Sequence, residues 1–384
     1  MQLQLSEEQI MIQKAAKDFA VNECLPGVID RDEHQRFPKE QIEQLADLGF
    51  MGMMVDTNYG GSGMDTVSYV LAMEEISKID ASVSVCMSVN NSLVCYGLQS
   101  YASEEQKQQY LTPLAQGKKD GELYIGAFLL SEPEAGSDAT SQQTTAEDMG
   151  DYYLLNGTKN WITNGSSASV YLVIAQTDVA KKSKGINCLI VEKNWPGVTV
   201  AAKENKLGIR GSDTHTIMFN DVKVPKENRI GTDGFGFTFA MKTLAGGRIG
   251  IASQALGIAS GAYELALKYS KQRKAFGTEI CNHQAIQFKL ADMATKIEAA
   301  RLLCLKAAWE KDNGIDYTLS SSMAKVFASE TAMWVTVEAV QIHGGYGFVK
   351  EYHVERLMRD AKITQIYEGT SEVQRIVIGR SILK

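Results

Sequence analysis

The stretch Arg359-Asp-Ala-Lys-Ile-Thr-Gln-Ile-Tyr-Glu-Gly-Thr-Ser-Glu-Val-Gln374 contains a charged helix end, a carboxylate in an apolar setting and the start of another helix. Glu368 lies between Tyr367 and Gly369, close after Ile366. Apolar neighbours keep water from a carboxylate, which raises its pKa from about 4.3 toward the range of a general base. Gly369 lets the backbone pass close to a ligand. Local chemistry alone nevertheless favours a solvated loop glutamate beside a helix cap.

Composition limits the class of protein before any motif is considered. The chain has 384 residues, of which 44% are hydrophobic, and a net charge of −7. This length allows two or three domains, and the acidic balance argues against nucleic acid as the main partner. No apolar run reaches the ~18 residues of a membrane span. The six cysteines and five histidines are scattered, and no signal or transit peptide is recognised, so we expect no metal and a cytoplasmic, bacterial protein.

The first third of the chain is expected to be helical. Ser6–Gln9 and Ser103–Gln106 have the capping-box pattern that begins a helix. Pro38–Gly49 has Pro near its start and Gly at its end, as helices prefer. Thr66–Ile79 and Ala81–Tyr101 continue as helices, the second of them rich in small apolar residues. These patterns predict an α-helical domain over residues 1–120.

The pattern changes near Gly121 to short runs rich in β-forming residues. Asn156-Gly157 is a strong hairpin signal, and Asn164-Gly165 predicts another turn. Because no helical segment separates the runs, we expect an antiparallel β-barrel or sandwich over residues 121–232. The predicted strands are Leu123–Leu130, Tyr152–Leu155, Lys159–Thr163, Val170–Gln176, Ile186–Glu192, Val198–Ala202 and Thr216–Val222.

Long helical segments return after Gly236. Four of them have heptad-like spacing of Ala, Leu, Ile and Met, which predicts a four-helix bundle over residues 233–384. Several are apolar on more than one face, so we expect a homo-oligomer. The fold class is therefore α+β, with helical, β and helical domains in that order. The four segments are Leu244–Tyr269, Gln284–Asn313, Ser320–His343 and Val354–Ile363.

Four further stretches contain residue types that could bind a ligand. Leu130-Ser-Glu-Pro-Glu-Ala-Gly-Ser-Asp138 is a polar turn that ends a β run. Ala245-Gly-Gly-Arg-Ile249 combines two glycines with a cation, and we place it at the start of the first bundle helix. Lys271-Gln-Arg-Lys-Ala-Phe-Gly277 is basic, and Gln341-Ile-His-Gly-Gly-Tyr-Gly347 ends a helix with glycines. Each alone also fits a structural turn.

Together with Ile366-Tyr-Glu-Gly-Thr370 and Arg359-Asp-Ala361, these motifs closely resemble those of the acyl-CoA dehydrogenases, in the same order and over almost the whole chain. The resemblance implies that family's three-domain fold, FAD as cofactor and an acyl-CoA substrate. It also implies a homotetramer built as a dimer of dimers, with an electron-transfer flavoprotein as acceptor. Ile249–Gly257 and Gln287–Asp292 are most similar to short-chain, butyryl-CoA enzymes.

The resemblance also assigns roles to residues. Arg273, with Phe276 and Gln284, would serve the FAD of a neighbouring subunit, as would the segment that begins at Gln341. Ser137 would contact both flavin and substrate. The residues that would bind FAD are Phe128, Leu130, Ser131, Gly136, Ser137, Trp161, Ile162, Thr163, Arg273, Phe276, Gln284, Gln341, Ile342, Gly344, Gly345, Thr370, Ser371 and Glu372. Those that would bind substrate are Ser137, Leu244, Ala245, Arg248, Tyr367 and Gly369.

Glu368 would be the catalytic base, since Gly247 occupies the family's alternative base position. It would take the α-proton while the β-hydrogen leaves as hydride to flavin N5. The family usually has Asp where this chain has Ala245, which puts one contact to the CoA end in doubt. His343 is a milder departure, because the family usually has an apolar or aromatic residue there.

Three other functions remain open from the sequence. The protein could act on branched short-chain acyl-CoA, or be an acyl-CoA oxidase that returns electrons to O₂. It could also be an inactive acyl-CoA-binding homologue on the same fold. Glu368 argues against the inactive homologue, and the chain length argues against an oxidase, which usually carries an extra domain.

Overall fold

The computed structural model describes residues 4–384, and its first part is helical. The predicted capping boxes at Ser6–Gln9 and Ser103–Gln106 are both present, with side chain and backbone paired in each direction. Three π-helical turns interrupt the helices at Ala20–Cys24, Val89–Cys95 and Lys107–Leu111. The α-helices are α1 Glu7–Phe19, α2 Val28–Glu33, α3 Lys39–Asp47, α4 Thr66–Ser77, α5 Ala81–Ser88, α6 Tyr96–Tyr101, α7 Glu104–Gln106 and α8 Thr112–Gln116.

A seven-stranded sheet forms the middle of the molecule. After the short pair β1 Lys118–Lys119 and β2 Glu122–Leu123, the chain enters this sheet, whose order is β3-β6-β4-β5-β9-β8 with β7 paired to β6. Most neighbours are antiparallel, as predicted, but β3 and β4 each pair parallel to β6. Its strands are β3 Gly126–Leu129, β4 Thr145–Asp148, β5 Tyr152–Thr163, β6 Val170–Gln176, β7 Ile186–Glu192, β8 Val198–Lys203 and β9 Thr214–Pro225.

The predicted hairpin at Asn156-Gly157 is wrong. β5 runs unbroken through both residues, and a register shift against β9 accommodates Gly157 at φ +142°. Asn156 pairs across the strands instead, donating to the Asp221 side chain at 3.1 Å and accepting from the Asp221 N–H at 2.8 Å. A β-carbon on Gly157 would lie 2.6 Å from the Thr144 hydroxyl. Glycine is therefore needed here because Thr144 packs close to the backbone, and not because the chain reverses. β4 was missed, whereas the turn at Asn164-Gly165 is present.

The remaining chain returns to long helices, joined by the short strands β10 Lys274–Ala275 and β11 Thr278–Glu279. The first helix begins at Gly236, not at Leu244 as predicted, so Gly246 and Gly247 lie inside it rather than at its start. Close packing of this helix outweighs the low helix propensity of glycine. The helices are α9 Gly236–Ser270, α10 Gln284–Asp312, α11 Thr318–His343, α12 His353–Ile363 and α13 Ser371–Ile382.

Two apolar cores hold these parts together. One joins α9, α10 and α11 to α5, the Val89–Cys95 turn and one face of β6 and β7. The other joins α1, α3 and α4 to the opposite face of the sheet. Alternating residues of β6 belong to different cores, which is why all seven residues of this strand are buried. Within residues 4–384, no helix is long and apolar enough to cross a membrane.

Candidate active site

Glu368 lies in the turn between α12 and α13. It adopts φ +53°, and Gly369 follows at φ +90°, so two successive residues have left-handed backbone. Thr370 then caps α13 by accepting the Val373 N–H at 3.3 Å. Glu368 as a whole is half-buried, but its Oε2 atom is shielded from solvent and has no hydrogen-bond partner within residues 4–384.

The environment raises the pKa of Glu368 to about 7. Burial is the main cause, because a carboxylate loses its hydration there. The positive charges of Lys325 and Arg248 act in the opposite direction and favour the ionised form. A group with this pKa is a usable base at neutral pH, as the apolar neighbours in the sequence predicted.

Helix α9 forms the wall that faces this carboxylate. An added β-carbon on Gly247 would lie 2.0 Å from Oε2 of Glu368 and 2.7 Å from Cδ2 of Leu93. Leu93 belongs to the π-helical turn Val89–Cys95, a type of distortion that often occurs at functional sites. Arg248 is buried and donates to the Ser322 hydroxyl at 3.3 Å. The structure therefore places Arg248 beside the carboxylate, while Leu244 and Ala245 lie on the preceding turn of α9.

Tyr367 anchors the turn from its other side. Its hydroxyl donates to Oε1 of Gln254 on α9. Gln254 is fully buried, and its amide donates in turn to the Ala81 carbonyl at 2.9 Å. Burial holds the pKa of Tyr367 well above its usual range, so the phenol keeps its proton and remains a donor.

The polar turn after β3 is fixed by a buried ion pair. Lys159 of β5 contacts Glu132 at 2.7 Å and also donates to the Leu130 carbonyl at 3.0 Å. The N–H of Asn160 donates to the Ser131 carbonyl at 2.9 Å. Burial lowers the pKa of Lys159 to about 8, while Lys159 and backbone N–H groups hold the pKa of Glu132 below its usual range. The segment with Ser131, Gly136 and Ser137 is thereby attached to the strand that carries Trp161 and Thr163.

The three residues at the end of β5 have different surroundings. Trp161 is 55% exposed and adopts φ +58°, which turns a large aromatic side chain outward. Ile162 belongs to the core, so only its backbone could face a cofactor. Phe128 of β3 is stacked on Phe239 of α9, with ring centroids 6.3 Å apart. The backbone hydrogen bond from Asn160 to Ser131 holds the turn after β3 against β5, so the predicted flavin residues of these two segments lie near each other.

A cavity of about 570 Å³ lies at the end of the helix bundle that is far from Glu368. Its lining includes Arg273, Ile342, Gly344 and Gly345, all predicted to bind cofactor, together with Tyr269 and Tyr346. An added β-carbon on Gly344 or Gly345 would meet nothing within 4 Å, so the backbone there is open to a ligand. A cation, open backbone and aromatic rings fit the phosphate and adenine part of FAD.

One chain does not bring these two sets of residues together. Lys325 of α11 contacts the Glu368 turn, whereas His343, beside the cavity, ends the same helix. At the rise of an α-helix, these two residues are ~27 Å apart along its axis. Phe276, Gln284 and Gln341 are exposed at the distant end, Phe276 to 97%. This separation agrees with the expectation that Arg273 and its neighbours serve another subunit.

Sequence reasoning missed two residues that contact the Glu368 turn. Lys325 is completely buried and donates to the Gly369 carbonyl at 2.8 Å. Gln374 is also buried and donates to the carbonyls of Glu368 and Gly369 at 3.1 and 3.0 Å. Lys and Gln are residue types that usually lie at the surface, so their identity alone does not predict burial. Within the described chain, no His, Cys, Asp and Glu residues cluster as metal ligands would.

Comparison with known proteins identifies relatives over the whole length. Residues 6–118, 127–222 and 234–383 match the N-terminal, middle and C-terminal domains of acyl-CoA dehydrogenase. A short-chain-specific acyl-CoA dehydrogenase of Clostridium acetobutylicum is 47% identical, with 100% of each chain covered. The caffeyl-CoA reductase–Etf complex subunit CarC of Acetobacterium woodii is 47% identical, with 99% of each covered. The structure of butyryl-CoA dehydrogenase from Megasphaera elsdenii superimposes with a TM-score of 0.97, at 48% identity and with 100% of each chain covered.

Proposed function

The chain belongs to the acyl-CoA dehydrogenase family, and from this premise we propose that it oxidises short-chain acyl-CoA thioesters, such as butyryl-CoA, to trans-2-enoyl-CoA. FAD is the cofactor and an electron-transfer flavoprotein is the acceptor. The observation that carries the proposal is the Glu368 carboxyl, whose pKa is about 7 and whose Oε2 atom is shielded from solvent. Within residues 4–384 no group donates a hydrogen bond to this Oε2 atom, which leaves it available to accept a proton.

Glu368 removes the proton from the α-carbon of the thioester. The α C–H bond breaks, its electron pair forms the new double bond, and the proton goes to the carboxylate. Bound FAD supplies the acceptor for the hydride that leaves the β-carbon. A pKa near 7 keeps much of the carboxylate ionised at neutral pH and still leaves it basic enough to accept a proton.

The backbone of the same residue can stabilise the charge that develops. The N–H of Glu368 donates to no acceptor within residues 4–384. The left-handed turn separates this donor from the hydrogen-bonding pattern of α12. A hydrogen bond from this N–H to the thioester carbonyl would acidify the α C–H bond, because negative charge accumulates on that oxygen.

The substrate is a short acyl chain. The names of the relatives support this length, and so does the wall around Glu368, where Leu93 approaches the space above Gly247. Gly247 leaves the carboxylate room that any side chain would fill. We place the acyl group in this space, between α9, the Val89–Cys95 turn and the turn that bears Tyr367.

The cofactor site is shared between subunits of a homotetramer. Ser131–Ser137 and Trp161–Thr163 would hold the flavin ring of their own subunit, and Arg273 with Gly344 and Gly345 would hold the phosphates and adenine of a neighbour. Exposed apolar side chains on the C-terminal helices and loops provide surface for this association. They are Phe276, Phe288, Phe348, Ile376, Ile382 and Leu383. All six cysteines are free, from which we propose a reducing, cytoplasmic location.

A second candidate is the reverse reaction, reduction of a 2-enoyl-CoA. The relative in the caffeyl-CoA reductase–Etf complex is as similar to this chain as the Clostridium enzyme. Glu368 would then deliver a proton to the α-carbon rather than remove one. Turnover of an arylacryloyl-CoA with reduced electron-transfer flavoprotein as the electron donor, at a higher kcat/KM than butyryl-CoA oxidation, would favour this direction.

Anaerobic titration of the purified protein with butyryl-CoA tests the proposal. We expect a yellow protein with one FAD per subunit, whose flavin absorbance falls as crotonyl-CoA forms. Addition of an electron-transfer flavoprotein should restore the absorbance. A protein that takes up FAD but keeps its full absorbance with saturating butyryl-CoA would contradict the assignment.

A further inference from the structure

Lys325 places a buried amine directly behind the Glu368 turn. The residue lies on α11, is 0% exposed, and its amine donates to the Gly369 carbonyl at 2.8 Å. An ammonium group has three donors and is costly to bury unless nearby groups compensate. Apolar residues would fill the same volume on α11 without that cost. The amine therefore calls for a role that packing alone does not supply.

The hydrogen bond to Gly369 holds a strained segment. Glu368 and Gly369 both have positive φ, and a non-glycine residue keeps such a backbone only when its surroundings fix it. Two side chains provide this restraint, the Lys325 amine and the Gln374 amide, and the two converge on the Gly369 carbonyl. Gln374 is neutral, so Lys325 is the one that adds charge to the restraint.

The charge of Lys325 acts on the base itself. Burial lowers the pKa of Lys325 to about 8, and Glu368 is the largest opposing influence. The amine therefore keeps its proton through most of the neutral range. Its positive charge in turn resists the rise that burial imposes on the pKa of Glu368. The other titratable and charged groups that face the pair are Tyr69 of α4, Arg248 of α9, Glu330 of α11, Tyr367 of the turn and Glu372 of α13.

We propose that Lys325 is a positioning residue for the base, whose amine fixes the Glu368 turn and whose positive charge keeps the Glu368 carboxylate ionised at neutral pH. It acts through Glu368 and touches neither substrate nor cofactor in this account. The inference rests on the proposed role of Glu368 as base. Arg248 shares the electrostatic part from α9, but it makes no hydrogen bond to the turn within residues 4–384.

Two variants separate the effect of the hydrogen bond to Gly369, here called the tether, from the effect of the charge. Lys325→Met keeps the length of the side chain but removes both the donor and the charge. Lys325→Gln keeps an N–H donor, on a side chain that is one atom shorter, and removes the charge. The measurement is kcat/KM for butyryl-CoA oxidation between pH 5.5 and pH 9, about 1.5 units below and 2 above the Glu368 pKa, on FAD-loaded tetramer.

We expect the acidic limb of the wild-type profile to have its midpoint near pH 7, because protonated Glu368 cannot accept the substrate proton. Removing a nearby positive charge raises the pKa of a carboxyl, so both variants should move this midpoint upward by about one pH unit. Activity should therefore fall about tenfold at pH 6 and change much less at pH 9. Lys325→Met should also lower the alkaline plateau, since it loses the tether as well.

Lys306→Met is the matched control. It removes one positive charge from an exposed lysine on α10 that pairs with Glu310. Its midpoint should equal that of the wild type, and an equal shift in this control would overturn the proposal by showing a general charge effect. An unmoved midpoint in the FAD-loaded Lys325 variants would also overturn it. If Lys325→Met fails to fold, Lys325→Gln decides alone. A wild type without butyryl-CoA activity would instead refute the proposed function, so the two failures are distinguishable.

Discussion

Gly247 and Glu368 compete for the same space. A β-carbon on Gly247 would lie 2.0 Å from Oε2 of Glu368, far inside van der Waals contact. Any side chain at position 247 would therefore have to displace the carboxylate. The geometry explains why this chain, with Glu368 in the turn, has glycine at position 247. It also makes Gly247 a requirement of the site and not of the helix.

Gly247→Ala should abolish most of the activity without unfolding the protein. The added methyl group moves the carboxylate from its position, and a displacement of about 1 Å can cost ~10²-fold in rate. We expect kcat/KM for butyryl-CoA to fall by roughly that factor, with FAD content unchanged.

Gly246→Ala is the matched control, because an added β-carbon there would approach no atom closer than 3.8 Å. Alanine in place of glycine inside a helix contributes about 1 kcal/mol of stability. This variant should therefore have a higher free energy of unfolding and remain active. Equal activity losses in the two variants would contradict the steric explanation.

Glu132→Gln should release the polar turn that we propose to line the flavin. Loss of this carboxylate leaves the Lys159 ammonium buried without its counter-charge, a change that typically costs ~3–5 kcal/mol. We expect a lower free energy of unfolding in urea and a lower FAD content after dialysis. Glu134→Gln changes an exposed carboxylate of the same turn and should alter stability by less than about 0.5 kcal/mol. Retention of wild-type stability and FAD by Glu132→Gln would refute this role.

Arg273→Ala should produce protein with little FAD, because we propose that its guanidinium, which lines the cavity at the end of the bundle, holds the phosphates of a neighbouring subunit's cofactor. Arg36→Ala, which removes an exposed arginine far along the chain, should keep its flavin. The measurement is the ratio of flavin to protein absorbance, combined with the mass in solution. A monomeric wild type with full FAD content would contradict the shared site.

Much of the fold and of the candidate site could be predicted from the sequence. Short motifs indicated the cofactor and the base, which periodicity alone does not show. The apolar residues around Glu368 predicted its raised pKa, and the capping boxes predicted the starts of α1 and α7. The order of helices, strands and helices follows from periodicity alone. The family resemblance gave the fold and the cofactor.

The parts that could not be predicted depend on contacts between distant residues. Asn156-Gly157 favours a hairpin locally, yet Asp221 of β9 provides partners that keep the strand extended. Lysine is usually a surface residue, and only the position of Gly369, 44 residues later, shows why Lys325 is buried. The early start of α9 has the same origin, since Gly236 packs against Asn187 of β7.

Glu368→Gln tests the central claim, that this carboxyl removes the α-proton. Glutamine keeps the size of the side chain but cannot accept the proton, and general base catalysis contributes about 10²–10⁴-fold. Because the proton is bound to carbon, we expect the loss to reach at least the upper end of that range. The rate to measure is the anaerobic fall of flavin absorbance with butyryl-CoA, beside a titration of acyl-CoA binding. We expect normal FAD content, retained binding and a rate lower by ~10⁴-fold or more. A rate within about tenfold of the wild type would contradict it, because another group would then be the base.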